Sequence, residues 1–78
     1  MGNDRPIKVK CWEAFLKYNG CNYHSTEASH DKWKCPGCFQ SIIFRGNNKE
    51  IPFAHIKTNL ITMKVEKSDF WNWVKENC

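Results

Sequence analysis

His30, Lys32 and Lys34 alternate with Asp31, Trp33 and Cys35. An extended segment over residues 29–35 therefore puts one imidazole and two ammonium groups on the same face. An imidazole can take the proton from a ribose 2′-OH or give one to a leaving 5′-oxygen. Lysines beside it can hold a phosphate and stabilise charge on a pentavalent phosphorus. The 2′-OH is an internal nucleophile, so this chemistry needs no metal and leaves a 2′,3′-cyclic phosphate. The same spacing also describes an ordinary solvated strand face. Ser29 can orient His30 or simply end the strand. Arg45 can contact phosphate or sit in solvent, and His55 can act as a second acid/base or phosphate contact, or pack at a strand end.

A second chemistry is available to the cysteines. Cys35-Pro36-Gly37-Cys38 is a two-thiolate knuckle, and Cys21-x-x-His24 lies upstream, so Cys21, His24, Cys35 and Cys38 make a four-ligand proposal for a structural zinc. The competing arrangement makes Pro36-Gly37 a hairpin turn with Cys35 and Cys38 facing each other across it. Strand geometry puts Cys21 and His24 on opposite faces, which works against the metal set. Cys11 is expected to pack on a helix and Cys78 to be idle.

The chain has 78 residues, enough for one domain over residues 1–78, with 1–7 expected as a loose lead-in. Four Trp, five Phe and two Tyr supply core and exclude a disordered chain. The net charge of +4 suits a polyanion, or merely a solvated surface. The first twenty residues lack a secretory apolar region, and no apolar run approaches the ~20 residues of a membrane span, so a cytoplasmic protein without a membrane partner is expected. In that compartment the five cysteines would be free thiols or metal ligands.

The elements that must position these groups can be read in order. Trp12, Phe15, Leu16 and Asn19 give helical spacing over residues 10–19, closed by Gly20. Residues 21–27 and 29–35 read as strands, and Pro36-Gly37 as a turn. Residues 39–45 read as the most strand-like segment, and 50–54 as a short extended piece with Pro52 at its edge. Asn59 is expected to cap a short helical turn. Ser68 is expected to cap a terminal helix carrying Phe70, Trp71, Trp73 and Val74. Trp71 and Trp73 cannot both enter one small core from one helix face, so one either lies along the surface or belongs to an interface. The expected architecture is α+β in the order α-β-β-β-α, a three-stranded antiparallel sheet with helices packed on one face and His30, Lys32 and Lys34 on the other.

The order of these motifs resembles the HicA toxin family of ribosome-independent mRNA interferases. The first helix is Cys-Trp-Glu-Ala-Phe-Leu-Lys-Tyr-Asn-Gly at 11–20. The family's Gly-Ser-His motif is matched by Ala28-Ser29-His30, followed by Asp31-Lys32-Trp33. A Pro/His segment is matched by Glu50-Ile51-Pro52-Phe53-Ala54-His55. The tail, with Leu60, Met63 and Asp69-Phe70-Trp71, is similar to members with an extra terminal helix. The resemblance covers roughly residues 10–77. It implies a double-stranded-RNA-binding-domain-like fold, RNA cleavage with His30 as the catalytic residue, and neutralisation by a HicB-like antitoxin. Ala28 departs from the family's Gly, and the Cys-Pro-Gly-Cys is outside its pattern. The expected activity is thus that of a metal-independent endoribonuclease without cofactor. Ser29 would position His30, and Lys32, Lys34, Arg45 and His55 would face RNA. The alternative is a non-catalytic, zinc-stabilised module that binds nucleic acid or protein.

Overall fold

The apolar stripe of the first helix organises the molecule. In a computed structural model, which describes residues 5–78, α1 spans Val9–Tyr18 and buries Val9, Trp12, Phe15 and Leu16. It stops where the sequence reading stops it. Asn19 returns its side-chain amide to the Phe15 carbonyl at 2.8 Å, and Gly20 adopts the left-handed φ of 80° that a side chain would resist.

Before it, β1 (Ile7–Lys8) pairs antiparallel with a later two-residue strand, so Ile7 is a core residue rather than part of a loose lead-in. Of the rest of that expected lead-in, Arg5 and Pro6 are exposed and outside any helix or strand, and residues 1–4 lie outside the described residues.

After α1 come β2 (Asn22–Glu27), β3 (His30–Lys34) and β4 (Ile42–Phe44), which form an antiparallel sheet in the order β2-β3-β4. Then follow β5 (Glu50–Ile51), α2 (Phe53–Met63) and α3 (Lys67–Asn77). The expected α+β architecture in the order α-β-β-β-α is present, with the small β1-β5 ladder added to it. The alternation in β3 has the expected sense: Trp33 is buried, paired with buried Ile42, while Lys34 is exposed. Helix and sheet residues share one core, in which Trp12 meets Phe44 and Phe70, and Phe15 meets Phe70 and Trp73. Burying rings of this size contributes roughly 1.5–3 kcal/mol each. Edge-to-face contacts of the kind made by Trp12 and Phe15 add about 0.5–1.5 kcal/mol per pair.

Several expectations change, among them the cap of α3: its N-cap is Glu66, and Ser68 lies inside the helix. The strand expected over 39–45 is only Ile42–Phe44, because the preceding residues form a loop with Phe39 fully exposed. The stretch expected as an extended piece plus a helical turn at Asn59 is β5 followed by one eleven-residue helix that starts after Pro52. Proline suits that place because its missing N–H is not needed there. Asn59 is not a cap; it is buried within α2. On α3, both Trp71 and Trp73 are half-buried, on different sides of the helix. Trp71 stacks on Phe53 with the Arg5 guanidinium 4.9 Å from its ring, and Trp73 meets Phe15 and Tyr18.

Candidate nucleic-acid interface

His30 opens β3 directly after a two-residue turn. Ala28 and Ser29, at φ 50° and 69°, both lie in the left-handed region, the combination a tight hairpin turn with matching strand twist requires. Ala28 thus occupies a position where a glycine would be unstrained. The turn brings the Ala28 carbonyl to 3.1 Å from His30 Nδ1. A carbonyl only accepts, so Nδ1 donates in this contact, which leaves the lone pair of a neutral ring on Nε2. The ring is held by the Ala28 carbonyl and not by Ser29, which is exposed in the turn.

The groove beside His30 has two adjoining lobes. One, of about 380 Å³, is lined by His30, Arg45 and His55 together with Gln40, Ser41 and Thr58. The other, of about 250 Å³, is lined again by His30, Arg45 and His55, here with Asn48 and Glu50. Three residues singled out in the sequence, far apart along the chain, therefore meet on one groove. The helical start after Pro52 explains His55: it sits in the first turn of α2, a turn without acidic residues. The strand end after Phe44 supplies Arg45. The positive end of the α2 dipole adds to the preference for an anion there.

The lysines play a different part. Lys32 Nζ lies 3.3 Å from Glu27 Oε1, and its side chain is one-third exposed. Lys34 is exposed at the far end of β3. Neither lines the groove at His30; both belong to the outward sheet face that continues from it.

The two walls of the groove are tied together. The Asn59 side-chain amide donates to the Ile43 carbonyl at 3.1 Å, which joins α2 to β4. The Asp31 carboxylate accepts from Thr26 Oγ1 at 2.7 Å, and Thr26 is in turn 2.6 Å from the Tyr23 hydroxyl. The same carboxylate packs so closely on Gly46, next to Arg45, that a Cβ there would collide with it. Sequence reading missed Gln40, Ser41, Thr58 and Asn59 as lining residues. Phe53, Ile56, Leu60 and Met63 do carry helical spacing, and reading them as one helix would have put His55 and Asn59 on it.

The cysteines do not assemble a metal centre. Asn22 pairs with Lys34, so the next pair outward at the open end of the β2-β3 hairpin is Cys21 with Cys35, and these are joined in a disulfide at a Cα separation of 4.1 Å. Both would have been ligands in the four-residue zinc set. His24 is exposed, and Cys38 Sγ lies 3.6 Å from the Thr62 carbonyl. Among the described residues no group of three or more His, Cys, Asp or Glu converges as a metal set would. Cys11 and Cys78 form a second disulfide, so neither is a bystander, and Cys38 alone is a free thiol. The expectation of free or metal-bound cysteines gives way here because strand register and helix placement set the pairs facing each other.

No helix among the described residues is long and apolar enough to cross a membrane. No protein-family model matches the chain, and neither the curated proteins nor the solved structures contain a match to it.

Proposed function

We propose that this protein is a metal-independent endoribonuclease of the HicA type, the toxin of a toxin-antitoxin pair, acting on mRNA. The observation that supports it best is the meeting of His30, Arg45 and His55 on both lobes of one groove. His30 Nε2, which carries the lone pair of the neutral ring, takes the proton from a ribose 2′-OH. The 2′-oxygen then attacks the adjacent phosphorus. Arg45 holds the phosphate oxygens as charge builds on them, as a guanidinium does well. His55 in its protonated form gives a proton to the departing 5′-oxygen. The products are a 2′,3′-cyclic phosphate and a 5′-hydroxyl. Lys34, and Lys32 when released from Glu27, draw the flanking backbone along the sheet face.

The partner in this reading is a HicB-like antitoxin that covers the groove. The half-buried rings of Trp71 and Trp73 on α3 are a second place for it to hold.

The test is cleavage of RNA by the purified protein and by His30→Ala, with and without a chelator, followed by end-group analysis. Loss of cleavage in the variant, indifference to chelator and cyclic phosphate ends support the reading. Unchanged turnover in His30→Ala, or 5′-phosphate ends, rules it out.

A further inference from the structure

Phe39 is the most exposed apolar side chain among the described residues, with its full surface open at 106% relative exposure. Leaving a whole phenyl ring in water has a cost, and single exposed apolar residues on loops are otherwise unremarkable. This one is placed with care. Its loop is fixed on the near side by the Cys21–Cys35 disulfide and by a turn through Pro36 and Gly37, where the Cys38 N–H donates to the Cys35 carbonyl at 3.2 Å. Gly37 takes φ 75° there, and nothing crowds the tip. Cys38 Sγ donates to the Thr62 carbonyl on α2, which pins the loop to the same helix that supplies His55. On the far side Gln40 and Ser41 turn into the groove beside His30. Phe39 thus directly precedes an amide and a hydroxyl that line the groove, while its own ring stands open to solvent.

We infer that Phe39 is a stacking platform for an unpaired nucleobase of single-stranded RNA, with Gln40 and Ser41 offering hydrogen bonds to that base. This deepens the proposed function by naming the substrate as unpaired RNA, and it rests on the reading of the groove as an RNA site. An aromatic face takes any base, whereas a base inside a duplex has both faces occupied by its neighbours. An exposed aromatic beside the groove-lining residues therefore selects for single strands without fixing a sequence. The Gln40 amide can both donate and accept, so it is suited to a base edge.

The test is binding, which does not depend on cleavage. A fluorescently labelled 2′-O-methyl RNA oligonucleotide has its 2′-oxygens capped and cannot be cut by internal attack. Its affinity is measured by anisotropy for the wild type, Phe39→Ala and Phe39→Tyr, beside a hairpin duplex of the same composition. Circular dichroism of each variant checks folding, which a fully exposed residue leaves intact. Phe39→Ala is expected to bind the single strand about tenfold more weakly, and Phe39→Tyr as the wild type does. The duplex is expected to bind more weakly than the single strand and to be indifferent to residue 39. Equal binding by Phe39→Ala, equal preference for the duplex, or no binding of the single strand by the wild type overturns the inference. If binding depends on Phe39 but unmodified RNA is never cut, the nuclease reading fails and this one stands.

Discussion

The side-chain amide of Asn59 donates to the Ile43 carbonyl at 3.1 Å, and it does so from the buried side of α2 to a strand only three residues long. One hydrogen bond thereby sets the spacing between the element that carries His55 and the one that leads into Arg45. Asn59→Ala leaves a strand carbonyl unpaired beside the core, a loss of about 1–3 kcal/mol. Chemical denaturation should show that loss. If the RNA reading holds, cleavage measured well below the melting point should fall as well, because His55 and Arg45 are no longer held at one separation. Unchanged stability would mean that the bond is not made in solution.

Gly46 and Asp31 make a second, sharper prediction. A Cβ at residue 46 would run into the Asp31 carboxylate, which is itself held by Thr26. Gly46→Ala should destabilise the protein by about 1 kcal/mol, because the Asp31 side chain must swing aside and give up its bond to Thr26. The same substitution made in an Asp31→Ala background should cost far less, since the obstacle is gone. Additive effects in this double-mutant cycle would show that the collision is not what matters.

The cysteines are directly countable. Alkylation of the unfolded, unreduced protein should label one thiol, Cys38, and all five after reduction. Cross-links closing loops of this range contribute about 2–4 kcal/mol each, so reduction should lower the melting temperature by many degrees. Five labelled thiols before reduction would show that the pairs are not joined. The comparison also bears on where the protein works, because a reducing cytoplasm opens accessible disulfides.

The sequence made the first helix legible because Trp12, Phe15 and Leu16 repeat at helical spacing and Gly20 closes them. It made β3 legible because Trp33 alternates with lysines. It hid α2, because Pro52 read as a strand edge when it is the residue before a helix, and because a short extended piece does run up to it. It hid the disulfides for a different reason. Cys35 and Cys38 sit close in the chain and drew attention to each other, whereas the partner of Cys35 is fixed by the register of a hairpin fourteen residues across. Of the site, His30, Arg45 and His55 were singled out by residue type. That they share one groove depends on long-range packing, which periodicity does not encode.

The bond between Cys11 and Cys78 spans 67 residues, so nearly the whole chain lies inside one covalent loop. A protease that nicks any exposed turn between those two positions opens the loop without releasing a fragment. Such a clipped molecule gains only the mass of one water, and migrates as one band until a thiol reagent parts the halves. Damage to this protein would pass unnoticed on a gel run without reductant.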